Sequence, residues 1–233
     1  MNEITLCLTI GKRPELLRQT LNSLLNHSVF THIIAINDFR DEATNQVFRE
    51  LCPQGQLISL TNQLGHHGAV DYMYKQVTTP YVMHCEDDWL FTDTFNIQKA
   101  LVLLESDSQI SQVCLRKVSD FHFDEKYLQK IRTIQSKSGE TYFRLDSLHS
   151  QWYGYTFNPH IASIRLWKEL HGFSRFKKER HISRNLRADA MFSAYMNPGV
   201  CIHIGEMQSV SLSASNPTGI RLLRKNIKKI FTG

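Results

Sequence analysis

The chain is short of paired cysteines, of Pro- or Gly-rich tracts and of long apolar runs, and each shortage excludes something. Its five cysteines, Cys7, Cys52, Cys85, Cys114 and Cys201, are scattered, odd in number and form no C-x-x-C pair. That argues against a disulfide framework or a zinc knuckle and for a reducing compartment. Six prolines and eleven glycines in 233 residues build no linker, and no internal repeat or low-complexity tract is visible. The first apolar run, Ile4 to Ile10, has no basic region before it and is too short for a signal peptide or a membrane span. A cytoplasmic protein is expected. A large charge excess is also missing: 27 Lys and Arg against 22 Asp and Glu give +5, with a pI near 8.9. This balance suits an anionic ligand, a phosphate or an acidic membrane surface, and does not call for nucleic acid.

What is present suffices for a globular domain, with 42% hydrophobic and 21% charged residues. Ile4 to Ile10 reads as a buried strand, Pro14 as the first residue of a helix, and Leu16, Leu17, Leu21, Leu24 and Leu25 as one apolar helix face. The run "HIIAIND" is a second strand, and Ala43, Val47 and Leu51 mark a second helix. Leu57 to Leu60 makes a third strand, Ala69 to Val77 a third helix, and "YVMHC" a fourth strand. Strictly alternating strands and helices imply an α/β fold, with a mostly parallel sheet covered on both faces. Ligands of such sheets bind beyond the carboxyl ends of the strands. Polar loops gather there: Lys12-Arg13, Asn37-Asp38, Asn62 to His67, and Glu86-Asp87-Asp88.

The second half is less regular. Residues 116 to 150 have no clear pattern; "WYGYTFNP" reads as a strand entering a loop and "FKKERHISRN" as a basic loop. Leu186 to Tyr195 reads as a helix and Val200 to Ile204 as a strand. The acidic triplet poses the sharpest question. An apolar strand leads into Glu86, Asp87 and Asp88, and Trp89, Leu90 and Phe91 follow. Either the acids form a solvated turn, or something positive sits among them.

The segments "TLCLTIGKRPELLRQTLNSLL", "IIAIND", "NQLGHHGAVDYMY" and "YVMHCEDDW" resemble the nucleotide-binding half of a glycosyltransferase of the GT-A fold, most similar to family 2. "WYGYTFNPHIASIRLWKELHGF", "RADAMF" and "CIHIGE" are similar to its later segments, so the resemblance covers residues 4 to about 212. It implies a Rossmann-like GT-A sheet and a metal-dependent transfer from a nucleotide-sugar donor to a glycan or lipid-linked acceptor. The triplet resembles a Glu-Asp-Asp version of the fold's DxD motif. A divalent cation, Mn2+ or Mg2+, would neutralise the departing diphosphate and needs only one or two protein oxygens.

By this resemblance Asp88 binds the metal, with Glu86 and Asp87 facing the ribose or metal-bound water. His203 is either a second ligand or a core histidine. Thr9, Lys12, Arg13, Asp38, Asn62, Gly65 and His66 would line the donor, and Trp152, Gly154 and Asn158 the acceptor sugar. Phe39 stands where family members often carry a second acid. The base that takes the acceptor's proton would be an acid opening the helix after the Gly-containing loop, and Asp189 is the candidate, giving inversion in a single displacement. Residues 1–216 are expected to form one domain, 1–91 for the donor and 92–216 for the acceptor. The tail 217–233 interleaves apolar residues with Arg221, Arg224, Lys225, Lys228 and Lys229, a composition suited to an anionic membrane surface. The expectation is a cytoplasmic or peripheral enzyme making a bacterial surface polysaccharide. The rivals are a sugar-nucleotide nucleotidyltransferase, whose glycine-rich loop "TIGKRPELL" fits poorly, and an inactive nucleotide- or glycan-binding protein.

Overall fold

A computed structural model of the chain describes residues 4–94 and 96–205. The tail 217–233 lies outside the described residues. Strand β1 (Ile4–Ile10) leads through Gly11 to Arg13 into α1 (Pro14–His27), which has proline in its first turn and buries Leu16, Leu17, Leu21 and Leu24. Then come β2 (His32–Asn37), α2 (Glu42–Leu51), β3 (Gln56–Ser59), α3 (His66–Tyr74) and β4 (Tyr81–Glu86). Asp41 caps α2 by accepting a hydrogen bond from the Thr44 amide at 3.0 Å.

The rest of the chain continues β5 (Trp89–Phe91), α4 (Ile97–Glu105), β6 (Ile110–Cys114), α5 (Glu125–Leu128), β7 (Arg132–Gln135) and β8 (Thr141–Arg144). It ends with β9 (His160–Ser163), α6 (Ile164–Glu169), α7 (Glu179–Ala188), β10 (Phe192–Met196) and β11 (Cys201–His203).

Among the described residues, one nine-stranded sheet runs β3-β2-β1-β4-β9-β6-β10-β8-β7, and β5 pairs with β11 in a separate ribbon. The β3-β2-β1-β4 half is parallel, as the alternation of strands and helices requires. β9 lies antiparallel between β4 and β6, and β6 and β10 are again parallel. Side chains alternate across β1. Leu6, Leu8 and Ile10 join the core under α1, α2 and α4, and Cys7 joins the core under α3, α6 and α7. The α/β architecture with helices on both faces is therefore as expected.

The register aligns the carboxyl ends of three strands. Thr9 sits opposite both Ile36 and Glu86, and Ile10 opposite Asn37. Asn37 finishes β2 as a turn former: its Oδ1 accepts the amides of Phe39 (2.9 Å) and Arg40 (3.0 Å).

The second half corrects several sequence expectations. Leu186 to Tyr195 is not one helix: α7 starts seven residues earlier, inside the supposed basic loop, and ends at Ala188, and β10 follows. The buried face of α7 is Ile182, Ser183 and Leu186, too thin an apolar stripe to stand out among so many basic residues. "WYGYTFNP" forms no strand; the strand is the next segment, β9. Residues 116 to 150 contain the β7–β8 hairpin. No helix of the described residues is long and apolar enough to cross a membrane.

Candidate functional site

A cleft of about 940 Å³ opens where the strand ends converge. Thr9, Gly11 and Arg13 line it from β1, Ile36 and Asp38 from β2, and Glu86, Asp87 and Asp88 from β4. Gln63 to Ala69 contribute from the start of α3, Ser174 and Phe176 to Lys178 from the loop before α7, and His203 and Gly205 from β11.

The triplet is no solvated turn: Asp87 is 1% and Asp88 5% exposed. The positive partner in the structure is Arg13. Its guanidinium bridges the two aspartates, bonding Asp87 through one terminal nitrogen and Asp88 Oδ2 through the other at 2.6 Å. Asp87 Oδ2 also accepts the Gly11 amide at 2.9 Å. Burial pushes the Asp87 carboxyl up to about 6, against the pull of Arg13. Burial and then the neighbouring Asp88 and Glu179 push Glu86 well above the carboxylate range. Asp88 goes the other way: burial would raise it, but His203 and Arg13 outweigh that and hold it below the usual value.

His203 reaches Asp88 through strand pairing. Antiparallel β11 sets His203 opposite Trp89 on β5, and the Ile204 amide bonds the Asp88 carbonyl at 2.9 Å. His203 Nε2 then lies 3.0 Å from Asp88 Oδ2. Gly205 closes the same corner, where a Cβ would come within 2.2 Å of that oxygen.

Among the described residues, no three His, Cys, Asp or Glu side chains are grouped closely enough to hold a metal by themselves. Two donors nevertheless fit a hard cation that also takes oxygens from a bound phosphate. Asp88 Oδ1 is buried without a hydrogen-bond partner. Asp88 Oδ2 and His203 Nε2 are 3.0 Å apart, the separation of neighbouring ligands on an octahedral cation with bonds of about 2.1 Å.

Thr9, Arg13, Asp38, Gly65, His66, Glu86, Asp87, Asp88 and His203 therefore come together in one cleft. Both carboxylate oxygens of Asp38 accept loop amides, Leu64 at 2.7 Å and Gly65 at 2.8 Å, so Asp38 shapes the entrance to α3. Gly65 has φ 75°, a left-handed conformation that favours glycine. Lys12 is exposed and is not itself a lining residue; its amide bonds Asp41 at 2.6 Å, and its ammonium lies 5.0 Å from the ring centre of Phe39, which does line the cleft. Asn62 is exposed on the loop, next to Gln63 to Gly65, which line the cleft.

A smaller pocket of about 220 Å³ holds Trp152 and Asn158 together with Arg116, Tyr153, Thr156 and Glu179. Trp152 is 36% exposed, and Asn158 accepts a hydrogen bond from Arg116 at 3.0 Å. Tyr155 is buried in the core. Gly154 is buried and closely packed: a Cβ there would meet the Ser183 carbonyl oxygen at 2.4 Å.

Asp189 is the main correction. It does not open a helix; it caps the carboxyl end of α7, is exposed and lines neither pocket. The acid that opens α7 is Glu179; it lines the small pocket, and the two residues before it, Lys177 and Lys178, line the large cleft. Burial pushes its carboxyl up to about 7, while bonds from the Phe157 amide and the Thr156 hydroxyl pull it back. The sequence carried the signal: Glu179 is the lone acid in "FKKERHISRN", a segment read as loop.

The sequence profile described as Glycosyl transferase family 2 matches residues 5–176. No curated protein matches the chain. Among solved structures, a mannosyltransferase, PcManGT from Pyrobaculum calidifontis in complex with GDP-Man and Mn2+, is similar with a TM-score of 0.65 and 14% identity, over 89% of this chain and 58% of that one. A crystal structure of S. aureus TarS is similar with a TM-score of 0.58 and 10% identity, over 86% of this chain and 60% of that one. The chain thus spans about three-fifths of the length of these two structures. At such identities the likeness is one of fold, and that fold is GT-A.

Proposed function

This chain belongs to glycosyl transferase family 2, and on that premise we propose that it moves a sugar, with inversion, from a nucleotide-sugar donor to a glycan or lipid-linked acceptor. The observation that carries the reading is the paired set of cavities: a large cleft walled by acids, Arg13 and two lysines, and a small aromatic pocket lined by Glu179, the residue that follows Lys178 of the cleft. The large cleft is read as the donor site, with Asp38, Gly65 and His66 around the nucleoside and the triplet around the ribose and diphosphate. Glu86-Asp87-Asp88 is read as this chain's DxD motif.

Asp88 and His203 would hold a divalent cation, Mn2+ or Mg2+, which supplies charge neutralisation for the leaving diphosphate. PcManGT in complex with Mn2+ supports this by likeness of fold. Lys177 and Lys178, from the segment read in the sequence as a basic loop, add positive charge to the cleft lining. Trp152 and Asn158 would seat the acceptor sugar, the indole face against its C–H surface. Glu179 replaces Asp189 as the base. Its carboxylate takes the proton of the acceptor hydroxyl, and that oxygen forms the new bond to the anomeric carbon as the diphosphate departs from the other face. We read residues 1–216 as one catalytic domain, the tail 217–233 as a contact to anionic membrane, and the product as a cell-envelope polysaccharide.

The test is a thermal-shift panel of nucleotide sugars with and without MnCl2, followed by donor hydrolysis. One donor is expected to stabilise the protein more with Mn2+ than without it, and Asp88→Ala to lose that increment with at least a hundredfold of the activity. A panel without any shift, or an Asp88→Ala protein as active as the parent, refutes the proposal.

A further inference from the structure

We infer that Arg13 and the divalent cation compete for Asp88, so that loading the cation turns one end of the guanidinium from Asp88 toward the donor's diphosphate. This rests on the metal-dependent reading above and adds a residue with two alternating partners. The geometry centres on one oxygen. Asp88 Oδ2 accepts from His203 Nε2 at 3.0 Å and from Arg13 Nη1 at 2.6 Å. A cation held jointly by Asp88 Oδ2 and His203 would sit against that guanidinium.

A histidine can meet a cation by giving up its proton. An arginine keeps its charge at any accessible pH, so repulsion can be relieved only by movement. The surroundings permit a small movement. Asp87 is bonded by the other end of the guanidinium and by the Gly11 amide at 2.9 Å, so the bond to Asp88 can break while Asp87 keeps its donors. Arg13 also lines the large cleft, where the freed nitrogen would face the diphosphate, and a planar guanidinium matches phosphate oxygens well. Without a cation Arg13 holds two buried carboxylates together, and with one it becomes a donor ligand.

Mn2+ binding to the full chain, read by electron paramagnetic resonance, and melting temperature test this in the parent, Arg13→Gln and Arg13→Lys, each alone and with UDP or GDP. Without nucleotide, Arg13→Gln should bind Mn2+ at least tenfold more tightly than the parent. Its lowered melting temperature should recover with Mn2+ more than the parent's rises, with Arg13→Lys in between. Nucleotide should narrow the gap in affinity, because its phosphates draw the parent's guanidinium away. Equal or weaker Mn2+ binding by both variants, with equal thermal gains, overturns the competition and leaves the metal reading standing. Absence of Mn2+ binding in the parent and in both variants even with nucleotide overturns the metal reading and the competition together. If Arg13→Gln does not fold, Arg13→Lys against the parent decides by the same criteria.

Discussion

Glu179 carries the most informative chemistry of any single residue. Its carboxyl, pushed up to about 7 by burial, is poised for a base working near neutrality. If it is the base, kcat/KM falls about tenfold per pH unit below about 7 and levels off above. Glu179→Gln should keep donor binding and lose transfer by at least a hundredfold. A raised carboxyl also has a sign in stability. The native state holds this proton more tightly than the unfolded chain, so stability declines as pH rises from about 4.5 to about 7. Glu179→Gln should therefore be more stable than the parent at pH 8, by about 1–3 kcal/mol, and no more stable at pH 4. Unfolding curves at the two pH values check this. A variant that is both inactive and less stable at pH 8 would make Glu179 a structural residue. In the sequence Glu179 lies in a segment that reads as a charged loop, whereas Asp189, the candidate there, comes only after the helix has ended.

At the scale of elements, the loop before α7 forms the far wall of the cleft, and Asp71 on α3 fastens it. This buried carboxylate accepts Trp167 Nε1 at 2.7 Å, the Phe173 amide at 2.7 Å and the Ser174 amide at 2.8 Å. Gly172, at φ 87°, lets the chain turn close to it, where a Cβ would come within 2.8 Å of Asp71 Oδ2. Asp71→Ala would strand three donors. A loss of about 3 kcal/mol or more is expected, together with weaker donor binding, since Ser174, Phe176, Lys177 and Lys178 ride on this loop. Chemical denaturation and donor titration measure both; a stable variant with normal donor affinity would show that the loop is held by other contacts. Asp71 was hidden in the sequence inside a good helical stripe, "AVDYMY", where a polar residue reads as the solvent face.

At the scale of the whole molecule, charge is divided unevenly along the chain. The five basic residues of 217–233, unaccompanied by any acid, equal the entire formal excess of +5, so residues 1–216 are formally neutral. A membrane role for the protein's net charge therefore rests on the tail. Deleting 217–233 should abolish most binding to vesicles containing anionic lipid, and the parent's binding should weaken as salt rises. Cosedimentation that is unchanged by the deletion would remove the membrane from the proposal. The sequence by itself determined the α/β class, the parallel half of the sheet and the gathering of polar loops at its carboxyl edge. Those follow from local periodicities of two and of 3.6 residues, which need no knowledge of distant partners. Only the tertiary structure decided which groups share Asp88. Arg13 stands 75 residues away and His203 115. His203 arrives through the pairing of two three-residue strands, β5 and β11, which are too short to announce a partner. Burial, too, belongs to the assembled fold: of the acids that a short sequence window allows as a solvated turn, Asp87 and Asp88 are buried under the packed loops and bridged by Arg13.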